Sequence, residues 1–178
     1  MNNKSIIILA AGAGTRMKST TPKVLHKISG KEMLYYSIKE ALKLSDDITV
    51  VLYHQASRVQ EEMEKHFEGI NYVIQDHANY PGTGGAVMGI TPKYSQVLVL
   101  NGDMPLIQAE ELKKFDIDAT IVMSVLELDS ADGYGRVIVE NGSVKKIVEQ
   151  KDANHIQQSI TEINSGIIYA KAKDLIFW

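Results

Sequence analysis

The sequence has no cysteine, which removes disulfides, thiolate-bound metals and cysteine nucleophiles from consideration. It has only four prolines, none in a linker-like cluster, and no internal repeat or low-complexity segment. The apolar stretch near its start, residues 5–13 (SIIILAAGA), falls far short of the roughly 20 residues a membrane-crossing helix needs. It also lacks the basic flank and longer apolar core of a signal peptide. Charge of one sign is not in excess either. A formal net charge of −3 leaves no electrostatic footprint for nucleic acid or an anionic membrane. Any phosphate site must therefore be a local cluster of cations. These absences predict a cytoplasmic protein without nucleic-acid or membrane partners.

What is present has the pattern of an α/β domain. Ile6–Leu9, Ile48–Leu52, Tyr72–Ile74 and Val97–Leu100 read as buried strands rich in Val, Ile and Leu. Between the first two, Leu34, Ile38, Ala41 and Leu42 fall on one helical face, with Lys31, Glu32, Lys39 and Glu40 largely outside it. Between the next two, Val59, Met63 and Phe67 recur at i, i+4 and i+8, with Ser57 as the expected N-cap and Gly69 as the stop. Alternation of this kind predicts a parallel sheet covered by helices on both faces. Later the chain changes character. Ala119–Leu128 reads as a strand, and Arg136–Glu140 and Ser143–Glu149 as a β-hairpin joined by Asn141-Gly142, which suits a type I′ turn. A strand over Glu162–Ala170 and a helix starting at Lys173 follow. The expectation is one domain over residues 1–178, with a sheet that becomes mixed toward its end.

The stretch LAAGAGTRMKSTTPK, residues 9–23, nearly matches the phosphate-loop pattern G-x-x-x-x-G-K-[ST], but Met17 stands where the second glycine belongs. Methionine cannot take glycine's conformations cheaply, and Pro22 bars the long helix that should follow. What remains is a loop whose small residues, Ala11, Gly12, Ala13 and Gly14, expose backbone N–H groups able to cradle phosphate. Arg16, Lys18 and Lys23 can add charge-assisted bonds. The alternative is a tight strand-to-helix turn with solvated lysines. The loop follows a parallel strand, where open α/β sheets bind ligands, and this favours the phosphate reading. Asp103 stands just beyond another presumed strand. A carboxylate there can hold Mg²⁺, which binds through one or two carboxylates plus substrate phosphates; a simple turn former is the other reading. The histidines show no ligand spacing of the H-x-x-x-H kind.

LAAGAGTRMKSTTPKVLH resembles the signature of bacterial N-acetylglucosamine-1-phosphate uridylyltransferases, the N-terminal domain of a bifunctional enzyme. GTGGAV, GDMPL, GYGRV, IVEQKDA and EINSGI continue the resemblance in that family's order over nearly the whole chain. The resemblance implies a Rossmann-like nucleotidyltransferase fold of three layers, the nucleotide-diphospho-sugar transferase fold, with a mixed, mostly parallel sheet and a β-hairpin insertion. It also implies transfer of a uridylyl group from UTP to N-acetylglucosamine 1-phosphate, with Mg²⁺ as cofactor, in cell-envelope precursor synthesis. Leu9, Ala11 and Gly12, with Gly14 in the same loop, would line the nucleotide. Arg16 and Lys23 would stabilise the transferring phosphate, and Gln75 with Gly82 and Thr83 would read the uracil edge. Asp103 would hold Mg²⁺, while Gly135, Glu149 and Asn164 would bind the sugar phosphate.

This sequence departs from the family's pattern in three places. QDHANYPGT is two residues longer than the matching loop and lacks its second glutamine. Asn101-Gly102-Asp103 replaces Y-G-D. The chain ends at Trp178, before the E-Y-Y-x-T-D segment and the asparagine that completes the metal site in the family. The expectation is therefore a domain lacking its C-terminal part, with the β-helix acetyltransferase domain, through which the family trimerises, absent; the chain would be a monomer or weak dimer. Its closing run, Leu175 to Trp178, is expected to pack against the domain or another copy. An inactive or weakly active nucleotide-binding fragment of that enzyme, and a sugar-1-phosphate nucleotidyltransferase using another base, are the competing expectations.

Overall fold

Three consecutive isoleucines make the heart of β1, Lys4–Leu9. In the computed structural model, which describes residues 4–115 and 120–177, this strand is flanked by β4 (Ile48–Leu52) and β6 (Gln96–Asn101). Both neighbours run parallel to it. Between β1 and β4 the chain makes a small hairpin, β2 (Lys27–Ile28) and β3 (Lys31–Glu32), and then the helix α1, Met33–Ala41. Helix α2 (Ala56–Glu64) leads to β5 (Asn71–Ile74), which pairs parallel with β4. Two shorter helices follow, α3 (Gly82–Val87) before β6 and α4 (Ala109–Leu112) after it.

The chain forms two compact units, one comprising Met1–Val122 and Ile168–Trp178, the other Met123–Ile167. In the first, the strand order β5-β4-β1-β6 continues to the last residues of β10 (Glu162–Lys171), which run antiparallel to β6. The sheet is thus mixed and mostly parallel, as expected. Alternate side chains point to opposite faces. Ile7, Val51, Val97 and Val99 pack with Ala86 and Val87 of α3 and with Leu175 in one core. Ile6, Ile8, Leu98 and Leu100 point the other way and are also fully buried. Helix α1, which packs against β1, turns Leu34, Ile38 and Ala41 inward. Burial on both faces explains why these strands read as continuous apolar runs.

Several local expectations are corrected. Leu42 is 42% exposed, because α1 ends at Ala41, and Ser37 takes the buried place on that face. Glu32, expected at the surface, is 1% exposed and paired with Lys27 and His66. Gln55, with φ of 51°, precedes α2 as its N-cap, so Ser57 lies inside the helix, and Phe67 lies beyond its end. Residues Ala172–Phe177 wind as 3₁₀ turns rather than an α-helix. Of the closing apolar run, Leu175 enters the core of its own unit. Trp178 and the side chains of Ile176 and Phe177 lie outside the described residues, as does Ala119 at the start of an expected strand.

The second unit contains most of β7 (Ile121–Glu127) and the hairpin β8 (Arg136–Glu140) and β9 (Ser143–Val148). Asn141 and Gly142 at its tip have φ of 51° and 74°, the left-handed pair that a type I′ turn requires. A short helix, α5 (His155–Gln158), opens on a reciprocal capping box between Asn154 and Gln157. Arg136 is 1% exposed. Its guanidinium donates to the carbonyl of Tyr134 at 2.6 Å and to the side-chain oxygen of Gln150, tying the segment before β8 to the one after β9. Asp132, at 3.8 Å and 88% exposed, adds little to this. Arg136→Met is expected to lower the unfolding free energy by about 1–3 kcal/mol, because the bonds of a buried guanidinium to Tyr134 and Gln150 are lost. Urea denaturation checks this, and an unchanged midpoint would show that the guanidinium bonds carry no stability.

Candidate active site

The strand order creates a crevice at a defined place. From β1 the chain moves one way, to β4 and β5, and then returns to β6 on the other side of β1. Ligands in open α/β sheets bind where the winding reverses, at the carboxyl ends of the strands. A cleft of about 550 Å³ opens at that end. It is lined by Leu9, Ala11, Gly12, Gly14, Arg16, Lys23, Gln75, Gly82, Thr83 and Asp103. The structure thus gathers into one cleft the residues for which the resemblance implied nucleotide, transferring-phosphate and metal roles. Lys18, also offered as a phosphate cation, is not among the lining residues.

The loop after β1 is shaped by close approaches. Gly14 has φ of +60°, and a Cβ there would stand 2.8 Å from the Cβ of Lys23. Glycine lets the loop press against the turn that carries the lysine. The carbonyl of Gly14 accepts from the N–H of Met17 at 2.9 Å in a 3₁₀ turn over Thr15–Met17, and no long helix follows. This is not the phosphate loop of G-x-x-x-x-G-K-[ST], in accord with Met17 and Pro22. Lys23 opens a second 3₁₀ turn, Lys23–Leu25, fixed by Pro22 at φ −50° and by buried Val24 and Leu25. Its ammonium pairs with Asp103, whose side chain is 29% exposed. Asp103 is set by Gly102, whose N–H donates to the carbonyl of Leu9 at 2.8 Å. The ends of β1 and β6 are thereby stitched together, with a cation and a carboxylate facing each other in the cleft.

Gln75 is 6% exposed. Its amide NH₂ donates to the carbonyls of Tyr80 at 2.9 Å and Gly82 at 3.0 Å. Both donors are therefore spent on the loop, and what this side chain has left for a ligand is an acceptor, Oε1. The longer loop closes on itself: Asp76 accepts from the backbone and side-chain nitrogens of Asn79 at 3.2 and 2.8 Å. Those bonds hold the Asp76 carboxyl below its ordinary value. Among the cleft residues that sequence reasoning missed are Tyr53 and His77. Their positions just past the ends of β4 and β5 were the available signal.

Gly135, Glu149 and Asn164 lie in the second unit. A Cβ on Gly135 would meet the Glu149 carboxylate at 3.2 Å and Ile147 at 2.9 Å, so the glycine leaves room for that carboxylate. Asn164 spends its side-chain oxygen on the backbone N–H of Gly166, at 2.9 Å.

One further cluster has the composition of metal ligands: Glu32, Glu62 and His66, with one ligand atom each lying within 4.8 Å of one another. None of the three lines the cleft. Glu62 and His66 are four residues apart on the α2 segment, a spacing that the sequence reading passed over. Lysines already compensate the carboxylates, Lys27 at 3.1 Å from Glu32 and Lys65 at 2.5 Å from Glu62, and Lys31 stands 3.5 Å from His66 Nδ1. The cluster thus joins the β2–β3 hairpin to the end of α2. Burial pushes the Glu32 carboxyl up, but its own backbone N–H, Lys27 and His66 outweigh this and hold it below the ordinary carboxylate value. A depressed folded value stabilises the fold above the unfolded value and ceases to do so as pH falls through the folded one. Stability is therefore expected to drop as pH falls below the ordinary carboxylate range, and Glu32→Gln to flatten that slope. Denaturant unfolding between pH 7 and pH 3 measures it, and identical slopes would contradict the assignment.

Residues 6–116 match the MobA-like NTP transferase domain. The chain belongs to that family. Its fold is that of the nucleotide-diphospho-sugar transferases. The structure of HddC from Yersinia pseudotuberculosis complexed with GMP-PN superposes with a TM-score of 0.72 at 25% identity, covering 98% of this chain and 79% of that one. The inositol-1-phosphate CTP transferase from T. maritima, at 18% identity, shares the fold with a TM-score of 0.74 over 98% of this chain and 72% of its own. In sequence, the chain is 77% identical to the bifunctional protein GlmU of Aliarcobacter butzleri over 99% of its own length and 41% of that protein's. It is 62% identical to GlmU of Wolinella succinogenes over 93% of its own length and 38% of the relative's. The chain thus spans about two-fifths of the curated relatives it matches, and the resemblance drawn from the motifs agrees with them. Among the described residues, no helix is long and apolar enough to cross a membrane.

Proposed function

We propose that the cleft binds UTP and that the protein works in the transfer of its uridylyl group to N-acetylglucosamine 1-phosphate, releasing pyrophosphate. The observation that carries this reading is the convergence of the glycine loop, Arg16, Lys23 and Asp103 in one cleft at the point where the strand winding reverses. In the reaction, a phosphate oxygen of the sugar phosphate forms a bond to the α-phosphorus of UTP, and the bond between the α- and β-phosphates breaks. The attacking oxygen is already anionic, so no general base is needed. The protein's task is to position the two phosphates and to offset the charge that develops. Backbone N–H groups of Ala11 to Gly14 cradle the triphosphate, and Arg16 and Lys23 meet the α-phosphate and the departing pyrophosphate. Asp103, a partly exposed carboxylate in the cleft, fits a divalent cation shared with substrate phosphates. Mg²⁺ held there would supply charge neutralisation. Gly135, Glu149 and Asn164 are assigned to the sugar phosphate. A cytosolic nucleotide substrate accords with a cytoplasmic location.

Gln75 gives the base preference a definite form. With its donors bound to the loop, Oε1 can accept from N3–H of uracil, whereas N3 of cytosine offers only a lone pair. UTP is expected to bind more tightly than CTP by about 1–3 kcal/mol, the cost of an unmatched buried polar group. Gln75→Ala is expected to shrink that difference and to loosen the loop over residues 76–81. Calorimetry with both nucleotides tests the reading, and equal affinities in the parent chain would place base reading elsewhere.

A further inference from the structure

Tyr53 directly follows β4, and His77 stands two residues beyond Gln75, just past the end of β5. Their rings stack with centroids 4.8 Å apart and planes 16° from parallel. Both line the cleft, and Tyr53 remains 47% exposed. The pairing of the two strands explains their meeting. Leu52 sits opposite Ile74, and Gln75 N–H donates to the carbonyl of Leu52 at 2.8 Å, which carries Tyr53 alongside Gln75. The rest of the lining is mostly small residues, charged groups and amides. Among the described lining residues, this half-exposed aromatic pair offers a broad flat surface.

We propose that the Tyr53–His77 stack is the platform on which the nucleobase lies, and that Tyr53 and His77 supply affinity for the base without choosing among bases. The proposal rests on the reading of the cleft as a nucleotide site and divides the labour within it. The glycine loop, Arg16 and Lys23 hold phosphate, Oε1 of Gln75 reads the base edge, and the aromatic pair holds the base face. A flat π-surface accepts any base, because every base presents a face of its own.

Calorimetric titration of UTP, CTP and inorganic tripolyphosphate, each with Mg²⁺, tests this on the whole chain. Tyr53→Ala is expected to weaken UTP and CTP alike by about tenfold, the scale of losing one base–aromatic stack, and to leave tripolyphosphate binding unchanged. His77→Ala should act in the same direction by a smaller factor, and Tyr53→Phe should restore parent affinity. Loss of tripolyphosphate binding in step with UTP would show a merely structural role and overturn the proposal. Unchanged UTP affinity in Tyr53→Ala would overturn it too. A parent chain that binds tripolyphosphate as tightly as UTP would overturn the base platform but leave the phosphate cleft standing. A parent chain that binds neither would overturn both.

Discussion

Lys23→Met is expected to lower the rate of uridylyl transfer by about 10²–10³, the usual cost of removing one preorganised electrostatic group from a reacting centre. Methionine keeps an unbranched stem on a turn already anchored by buried Val24 and Leu25, so the loss should be one of charge and not of fold. The split between binding and rate is the informative part. If Lys23 acts chiefly on charge that develops as pyrophosphate departs, UTP affinity should fall by far less than the rate. Steady-state kinetics with circular dichroism as the folding control measures both. A folded variant that keeps its rate within a few-fold of the parent would remove Lys23 from the chemistry.

Asp103→Asn is expected to have a comparable or larger effect on transfer, together with an opposite effect that follows from the geometry. An amide is a much poorer partner than a carboxylate for a hard dication, so Mg²⁺ should no longer enhance UTP binding or turnover. The carboxylate also occupies Lys23. Removing its charge frees that ammonium and takes an anion out of the cleft. UTP binding without metal should therefore hold or improve in the variant while the Mg²⁺-dependent part disappears. An equal Mg²⁺ enhancement in parent and variant would show that the metal is held elsewhere.

The elements most legible in the sequence were those specified by local chemistry. Strands β1, β4 and β6 announced themselves because burial on both faces demands unbroken apolar runs. Asn141-Gly142 announced its hairpin because few other pairs tolerate two positive φ values in succession. The glycine-loop side of the cleft was readable for a related reason: glycines, Lys23 and Asp103 sit beside strand ends whose position the runs already fixed. What was not legible depends on partners distant in the chain. Glu32 looked like a surface residue because its burial is compensated by Lys27 and by His66, which lies 34 positions on. Gln75 looked like a free reader of bases, since nothing local says that its donors turn back to Tyr80 and Gly82. Tyr53 and His77 carried no motif. They belong together only because β4 and β5 lie side by side. Arg136 passed unremarked within GYGRV, although its buried guanidinium fastens the segments that carry Gly135 and Glu149.

The central claim is that the end of the sheet where β1 and β6 meet holds a nucleoside triphosphate. Nuclear magnetic resonance titration of the backbone amides with Mg²⁺ and UTP tests it most directly. Saturable shifts should concentrate at Leu9 to Lys23, at Gln75 to Thr83 and at Asn101 to Asp103, and Lys23→Met should weaken them. Shifts that do not saturate, or that gather away from these segments, would contradict the account.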